Sequence, residues 1–157
     1  CTPTTNGFGR FKPNALAPQS VLWGRDNRGA MLRVIGQAGD TSTRIENRLG
    51  EPAANPYLYM ASQIHAGLQG IDEVLIPPLA TDSPYANTHT TSSSQITRIP
   101  NTLGDALRAL QENSVMQEGF GSEFIRYYER IKNSELQRFE AAQDKLEFQK
   151  REYFSRI

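Results

Sequence analysis

Residues 25–48, RDNRGAMLRVIGQAGDTSTRIENR, contain the pattern that decides how this chain folds. Two strand candidates, Ala30–Ile35 and Thr41–Arg48, flank the short segment Gly36–Asp40. That segment contains two glycines and an aspartate, a composition that suits a hairpin loop. The pattern therefore predicts two neighbouring antiparallel strands.

Charged side chains are concentrated on one face of the second predicted strand. Because strand side chains alternate between faces, Arg44, Glu46 and Arg48 share a face. In the preceding strand Arg33 lies on the face opposite its apolar one, and Arg28 lies at the strand's start. A hairpin register can bring these side chains together, which would assemble four arginines around one carboxylate.

Such a cluster is suited to binding phosphate. Guanidinium groups grip phosphate oxygens through paired hydrogen bonds, and a carboxylate is a hard oxygen ligand for Mg²⁺ or Mn²⁺. Phosphoryl transfer depends on this kind of positioning and charge stabilisation. The same alternation is more often that of a solvated sheet surface with weak salt bridges, so the spacing alone favours that interpretation and leaves the phosphate site as the alternative.

The rest of the chain predicts an α+β fold in which short antiparallel strands precede helices. A further strand candidate is Ser20–Gly24, and residues 77–101 contain four prolines and form a long loop. Asn55-Pro56 is typical of a helix start, followed by apolar residues at helical spacing, namely Tyr57, Met60, Ile64, Leu68 and Ile71.

Two more helix starts are expected downstream. Thr102 and Asp105 resemble a capping box, and Ser122 is expected to cap the last and longest helix. The apolar spacing of that helix slips between Ile131 and Leu136, which predicts a bend or a break there.

Composition excludes several classes of function. The 157 residues have a formal net charge of zero and no apolar run long enough to span a membrane, so neither nucleic acid nor a membrane is an expected partner. The one cysteine, Cys1, cannot form a disulfide within the chain, which fits the cytoplasm. The N-terminus lacks a methionine and the features of a signal peptide, and the chain is expected to begin within a longer gene product.

Several segments closely resemble the C-terminal catalytic region of the glutamine synthetase family. They are TTNGFGRFKP (4–13), DNRGAMLRV (26–34), TRIENR (43–48), EPAANPYLYMASQIHAGLQGI (51–71) and the ending REYFSRI (151–157). The resemblance covers residues 1–157, with 1–50 as the strand and loop part of the active site. Residues 51–157 would be the helical part, with the long loop at 77–101.

The resemblance implies a role for each charged position. Arg10 and Arg48 correspond to arginines that bind the substrate glutamate, and Glu46 to a ligand of an active-site Mg²⁺ or Mn²⁺. The catalytic arginine that contacts the transferred phosphate corresponds to Arg28. Arg33 and Arg44 correspond to arginines on ATP and its phosphates.

The family's reaction is implied with these roles. The γ-carboxylate of glutamate attacks ATP to form γ-glutamyl phosphate, from which ammonia or a larger amine displaces phosphate. The family's sites form between subunits of a homo-oligomeric ring, and most of its metal ligands precede the region matched here. One carboxylate cannot hold two or three metal ions, so this chain alone is expected to be inactive.

One departure from the family pattern bears on the amine. Ammonia-using members carry a glutamate just before Ala-Pro, and this chain has Leu16 there, before Ala17-Pro18. Leucine can neither attract ammonium nor accept its proton, which favours the branch that joins glutamate to larger amines over true glutamine synthesis. Tyr85 lies near the position of a regulatory adenylylated tyrosine of some members, but its surroundings match poorly and favour an ordinary loop residue.

A non-catalytic function is the alternative from another class. The chain would then be a family remnant that keeps its helices for assembly or regulation. Such a remnant has no reason to retain all six charged positions, so an enzymatic origin is preferred.

Overall fold

The computed structural model describes residues 1–12, 15–82 and 97–154, and it confirms the α+β class. Its strands are β1 Trp23–Arg25, β2 Leu32–Ile35 and β3 Arg44–Asn47. The helices follow as α1 Pro56–Asp72, α2 Leu103–Gln111, α3 Ser114–Phe120, α4 Ser122–Ala141 and α5 Lys145–Gln149. A 3₁₀ turn at Gly7–Arg10 precedes the strands, and a π-helical turn at Lys150–Phe154 follows α5. The prediction for Tyr85 lies outside the described residues.

The chain forms two compact units. The sheet unit comprises Gly9–Gly50 and Pro77–Ile99, and the helical unit comprises Cys1–Phe8, Glu51–Ile76 and Pro100–Ile157. Within the described ranges, every helix is too short or too polar to cross a lipid bilayer.

The sheet has the order β1-β2-β3 and contains both strand directions. β2 and β3 pair antiparallel, as the hairpin pattern predicts. β1 pairs with β2 in parallel, so the prediction of antiparallel strands is wrong for β1. The physical reason is the connection, because residues 26–31 loop back along β1 instead of forming a hairpin. Asn27 stabilises that loop, since its Oδ1 accepts a hydrogen bond of 2.8 Å from the Gly29 amide.

The outer edge of β1 is covered by the segment around Thr81. The Thr81 amide donates a 2.8 Å hydrogen bond to the Trp23 carbonyl, and Asn27 Nδ2 donates to the Thr81 carbonyl. A Cβ atom on Gly24 would lie 2.0 Å from that same carbonyl oxygen, so only glycine permits this approach. The covered edge cannot pair with another strand, which protects the sheet from edge-to-edge association.

The predicted starts of α1 and α2 are confirmed. The side chain of Asn55 accepts hydrogen bonds from the amides of Tyr57 and Leu58, at 3.0 and 3.2 Å. Thr102 Oγ1 accepts one of 3.1 Å from the Asp105 amide. Each bond satisfies an amide that has no partner inside the helix, and a cap of this kind typically contributes about 1 kcal/mol.

The prediction that Ser122 caps the last helix is wrong. Gly121, with φ 81°, is the N-cap of α4, and it has no side chain to cap the helix. The preceding residues form the separate helix α3, whose own N-cap Asn113 accepts a 2.9 Å hydrogen bond from the Met116 amide. A left-handed backbone at a glycine lets the chain change direction between the two helices.

The predicted break between Ile131 and Leu136 is also wrong, because α4 continues through both residues. The slip in apolar spacing arises because charged residues occupy buried positions of the helix. Glu129 and Glu135 are 9% and 6% exposed, whereas Ile131 is 47% exposed. The helix ends later, where Lys145 Nζ donates to three backbone carbonyls at its C-terminus.

The two ends of the helical unit are joined through Tyr153. Its hydroxyl donates to Glu135 Oε1 and accepts a 3.0 Å hydrogen bond from the Thr5 amide. Lys132 Nζ donates to the other oxygen of Glu135 at 2.8 Å. Burial and the hydrogen bond with Glu135 raise the pKa of Tyr153 to about 12. The buried carboxylate is thereby paired, as burial requires.

An apolar face of α1 stays exposed. The apolar residues that recur at helical spacing, from Tyr57 to Ile71, are each between 51% and 77% exposed. The helix packs through a different side, where the ring of His65 contacts that of Phe120 with centroids 5.5 Å apart. A contiguous apolar face of this kind is typical of a surface that another polypeptide covers.

Replacing Tyr153 by Phe is expected to lower the free energy of unfolding by about 1–3 kcal/mol, because it removes the hydroxyl that joins Glu135 to Thr5. Urea unfolding followed by circular dichroism measures this loss. Tyr127→Phe is the control, since Tyr127 is 66% exposed. Equal losses in both variants would contradict the assigned network.

The same tyrosine predicts a dependence on alkaline pH. Because the pKa of Tyr153 is raised from 10.0 to about 12 in the fold, its stabilising contribution is complete below pH 10. The contribution is lost as pH rises from about 10 to 12. Unfolding of Tyr153→Phe should therefore lack that part of the alkaline decline seen in the unsubstituted chain. An identical decline in both would contradict the prediction.

The exposed face of α1 should tolerate polar residues. The double change Ile64→Gln and Leu68→Gln is expected to alter the free energy of unfolding by no more than about 1 kcal/mol, and to reduce self-association measured by light scattering. Leu107→Ala is the contrasting variant, because Leu107 is 5% exposed. It should cost about 2–5 kcal/mol. A comparable loss in the double variant would show that the face is buried.

Candidate active site

The centre of the charged cluster is Glu46 on β3. The β2–β3 register places Arg33 directly opposite Glu46, and Arg33 Nη1 lies 3.3 Å from Glu46 Oε2. Arg48, the residue directly after β3, brings Nη1 within 3.4 Å of that same oxygen. The prediction that strand alternation and a hairpin register gather these three side chains is confirmed.

The three side chains of this cluster differ in how far they are exposed to solvent. The side chains of Arg33 and Arg48 are 16% and 19% exposed, and that of Glu46 is 38% exposed. Guanidinium groups that have lost most of their water need acceptors, and Glu46 supplies one acceptor group to both. Its partial exposure leaves the carboxylate open to a further ligand.

Asp26 is a member of the cluster that the sequence pattern did not indicate. Its Oδ1 accepts hydrogen bonds from Nε of Arg33, at 3.1 Å, and from Nη2. Asp26 has a φ of 47°, and its amide donates a 2.9 Å hydrogen bond to the Val34 carbonyl. Aspartate tolerates this left-handed conformation better than most residues. The Asp-Asn pair at 26–27 was the available signal for such a turn.

The two charges of this pair shift each other's titration. The hydrogen bond and charge of Arg33 lower the pKa of Asp26, and the nearby charge of Arg28 lowers it further. The hydrogen bond from Arg33 to Asp26 in turn raises the pKa of Arg33. Both groups therefore stay ionised across the physiological range, and Arg33 is held between two carboxylates.

Arg28 and Arg44 lie apart from the carboxylate. In the described part of the chain, the ion pairs of Glu46 are with Arg33 and Arg48 alone. Arg44 Nη1 instead donates a 3.0 Å hydrogen bond to the Ser42 carbonyl, and both Arg28 and Arg44 are exposed. The expected cluster of four arginines around one carboxylate is therefore wrong, and Glu46 contacts two. Arg28 lies in the connection between β1 and β2, and Arg44, at the start of β3, turns its guanidinium to the Ser42 carbonyl.

A cavity of about 350 Å³ adjoins this cluster within the sheet unit. It is lined by Gly9, Arg10, Lys12, Ala15, Leu16, Ala17, Pro18 and Arg48. The cavity is therefore lined by Arg10 and Arg48, for which the family resemblance implies binding of the substrate glutamate. It is also lined by Leu16, the position that bears on the choice of amine.

Arg48 links that cavity to the carboxylate. Its Nη2 donates a 2.9 Å hydrogen bond to the Leu16 carbonyl, while its Nη1 pairs with Glu46. Leu16 has a φ of 50°, a left-handed backbone that is uncommon for leucine and costs free energy. Arg10 donates from Nη2 to the backbone carbonyls of Arg48, at 3.2 Å, and Leu49. These bonds hold the loop at Leu16 against the end of β3.

Glu46 fits a role as one ligand of a divalent cation. It provides hard carboxylate oxygens with partial exposure. Within residues 1–12, 15–82 and 97–154, no group of three His, Cys, Asp or Glu side chains comes together as a metal centre. The described residues therefore do not form a complete metal site by themselves.

A carboxylate flanked by two arginines, beside a cavity that holds a third, is typical of proteins that bind phosphate or carboxylate groups. Comparison with known proteins identifies the family of this chain. The chain belongs to the glutamine synthetase family, because the family model for the glutamine synthetase catalytic domain matches residues 1–151. The family resemblance predicted from the sequence is confirmed.

Curated relatives come from two branches of this family. A gamma-glutamylanilide synthase of an Acinetobacter species is 45% identical over 139 residues, which are 88% of this chain and 26% of that protein. A gamma-glutamylethanolamide synthetase of Streptomyces coelicolor is 35% identical over 89% of this chain and 29% of its own length. A glutamine synthetase of Thermus thermophilus is 32% identical over 85% and 30%.

A solved structure has the same fold. It is described as a GmaS/ADP complex, is 27% identical and superimposes with a TM-score of 0.75 over 98% of this chain and 35% of its own. This chain thus spans roughly a third or less of the relatives and the structure that it matches.

The Asp26–Arg33 contact predicts an acid-shifted carboxyl. The carboxyl carbon signal of Asp26, followed by NMR across acidic pH, should titrate below the ordinary pKa of 3.8. Arg33→Gln should return it toward that value, because the hydrogen bond and the positive charge are both removed. The contact is complete above the ordinary pKa and is lost as pH falls through the lowered one.

Arg108→Gln is the matched control for this titration. Arg108 is an exposed arginine that pairs with Asp105 on α2. Removing it should leave the Asp26 titration unchanged. A titration of Asp26 at its ordinary pKa in the unsubstituted chain would show that the Arg33 contact does not form in solution.

Proposed function

We propose that this chain contributes the arginine-rich part of a site that joins the γ-carboxylate of glutamate to an amine, with ATP as the energy source. The observation that carries the proposal is the position of Arg48. One guanidinium contacts Glu46, holds the Leu16 carbonyl and lines the cavity. The three positions assigned to metal, amine and glutamate therefore meet at a single side chain.

Glutamate binding is assigned to Arg10 and Arg48. Both line the cavity, and a guanidinium recognises a carboxylate through two parallel hydrogen bonds. Arg10 Nη2 is held by backbone carbonyls at the end of β3, and its guanidinium lies 4.8 Å from the ring centroid of Phe11. The carboxylates of the substrate glutamate would neutralise the positive charges of the side chains that line the cavity.

Phosphate binding is assigned to Arg28, Arg33 and Arg44, with Arg28 on the phosphate being transferred. In the first step an oxygen of the γ-carboxylate attacks the γ-phosphorus of ATP, the bond from that phosphorus to the bridging oxygen breaks, and ADP leaves. In the second step the amine nitrogen attacks the carbonyl carbon of γ-glutamyl phosphate. Phosphate leaves with the bonding electrons, and the amine nitrogen releases a proton. Arginines stabilise the charge that develops on the phosphoryl oxygens.

Glu46 would hold one Mg²⁺ or Mn²⁺. When bound, such an ion neutralises negative charge on the phosphates and polarises them. The remaining ligands would come from outside the described residues, in a homo-oligomeric ring of the family's kind. We therefore expect the isolated chain to have no ATP turnover, and turnover by the purified chain would contradict this part of the proposal.

The names of the relatives support ligation of glutamate to an amine, but they do not agree on which amine is used. One is named for an anilide, another for an ethanolamide, and others for glutamine. True glutamine synthesis from ammonia is the second candidate, and the glutamine synthetases among the relatives favour it. Leu16, in place of a glutamate, favours a larger amine.

The proposal is tested in the polypeptide that carries this chain within a complete catalytic domain. With ATP, Mg²⁺, glutamate and an amine, we expect release of ADP and phosphate with formation of a γ-glutamylamide, measured by mass spectrometry. Glu46→Gln keeps the shape of the side chain and removes its charge. It should lower kcat by about 10²-fold or more, because charge stabilisation of the transition state is lost.

Glu140→Gln is the matched control, since Glu140 is an exposed carboxylate on α4. It should retain full activity. Absence of any ATP- and glutamate-dependent amide, or an unimpaired Glu46→Gln variant, would overturn the proposed function.

A further inference from the structure

Arg28 lies at the tip of a tight turn whose two ends are buried. The turn runs from Asn27 to Ala30, and the Ala30 amide closes it with a 3.3 Å hydrogen bond to the Asn27 carbonyl. Asn27 is 2% exposed and Ala30 is 0% exposed, whereas Arg28 is exposed. An exposed cation is therefore carried by a buried base within the sheet unit.

The side chain of Asn27 holds this turn through both of its polar groups. Its Oδ1 accepts a 2.8 Å hydrogen bond from the Gly29 amide, inside the turn. Its Nδ2 donates to the carbonyl of Thr81, 54 residues further along the chain. An asparagine amide combines an acceptor and a donor on a short side chain, so one residue both closes the turn and attaches it to a distant segment.

The segment that Asn27 reaches is itself attached to β1 at two points. The Thr81 amide donates a 2.8 Å hydrogen bond to the Trp23 carbonyl. The Arg25 amide donates a 3.0 Å hydrogen bond to Asp82 Oδ1. Because the backbone of this segment is held on both sides, the Thr81 carbonyl presents a fixed acceptor to Asn27.

The start of the Arg28 side chain matters because of the role proposed for its guanidinium. Stabilising the charge that develops on a transferred phosphoryl group requires donors already aimed at its oxygens. Misplacing a catalytic group by about 1 Å can cost about 10²-fold in rate. An arginine side chain is long, and the backbone from which it starts determines which positions its guanidinium reaches.

We propose that Asn27 is a positioning residue for Arg28, and that it acts by tying the turn at 27–30 to the carbonyl of Thr81. This inference rests on the proposed ligase function and adds a residue that acts through the arginine assigned to the transferred phosphate. The action is indirect, since Asn27 is buried and Arg28 is exposed. The expected signature is a loss in kcat with little change in the KM for glutamate.

Asn27→Asp separates the two contacts of the side chain. It keeps the acceptor for the Gly29 amide and replaces the Nδ2 donor by an oxygen that repels the Thr81 carbonyl. In the polypeptide with the complete catalytic domain, this variant should lower kcat by about 10²-fold, because the guanidinium is misplaced in the transition state. The KM for glutamate should change by less than about threefold, since the arginines assigned to glutamate are untouched.

Asn133→Asp is the matched control, because Asn133 is exposed on α4 and undergoes the same chemical change. It should retain full activity. An unimpaired kcat in Asn27→Asp would overturn the inference.

Gly24→Ala disturbs the same contact from the other side and leaves Asn27 and Arg28 unaltered. A Cβ atom on Gly24 would lie 2.0 Å from the Thr81 carbonyl oxygen, so the acceptor has to move. This variant should also lower kcat, by about tenfold or more. It serves as the test if burial prevents Asn27→Asp from folding, and an unchanged kcat would overturn the inference. Gly67→Ala is the control, since a Cβ on Gly67 would meet none of the described atoms within 4 Å.

A double-mutant cycle shows whether Asn27 acts through Arg28. Arg28→Gln alone should lower kcat by about 10²-fold or more, because charge stabilisation of the transition state is lost. Adding Asn27→Asp should then lower kcat by less than about threefold, since there is no longer a guanidinium to position. Losses that multiply in the double variant would overturn the inference, because they would show that Asn27 acts independently of Arg28.

The outcomes separate the two proposals. If no amine gives a γ-glutamylamide, the proposed function fails and the inference fails with it. If amides form and Arg28→Gln keeps full kcat, ligation stands and the inference fails because Arg28 has no catalytic role. If Arg28→Gln is impaired while Asn27→Asp and Gly24→Ala are not, only the inference fails.

Discussion

The pairing of Arg33 with Glu46 across β2 and β3 is the constraint on which the charged site depends. It follows from the antiparallel register, which also sets Val34 against Ile45 on the other face. A slip of one residue would turn every side chain of one strand to the wrong face. The apolar pair and the charged pair therefore stabilise the same register, and the position of Arg48 on the charged face depends on it.

The charged groups form a continuous chain of contacts through the sheet unit. Asp26 holds Arg33, Arg33 and Arg48 share Glu46, and Arg48 reaches the carbonyl of Leu16. Each partly buried guanidinium has two acceptors, which offsets the cost of removing it from water. Two acceptors also determine the orientation of a planar guanidinium, so Arg10 and Arg48 line the cavity in fixed orientations, as the proposed binding of an anionic substrate requires.

The helical unit also contains a buried charged group that is stabilised by hydrogen-bond partners. Reading α4 by apolar spacing assumed that buried positions are apolar, yet Glu129 and Glu135 occupy such positions. Glu135 is tolerated because Lys132 and Tyr153 satisfy its oxygens. The gap in the apolar pattern thus marks buried polar residues within a continuous helix. The spacing of apolar residues alone cannot distinguish such residues from the end of a helix.

By itself the sequence determined the hairpin between β2 and β3, the caps at Asn55 and Thr102, and the alternation that gathers Arg33, Glu46 and Arg48. These features depend on residues a few positions apart, or on two strands joined by a short loop, so local spacing specifies them. Only the tertiary structure decided the parallel pairing of β1, the contact of Asp26 with Arg33, and the hydrogen bond from Arg48 to Leu16, 32 residues away. Those contacts depend on how loops return through space, and neither strand alternation nor helical spacing encodes the path of a loop.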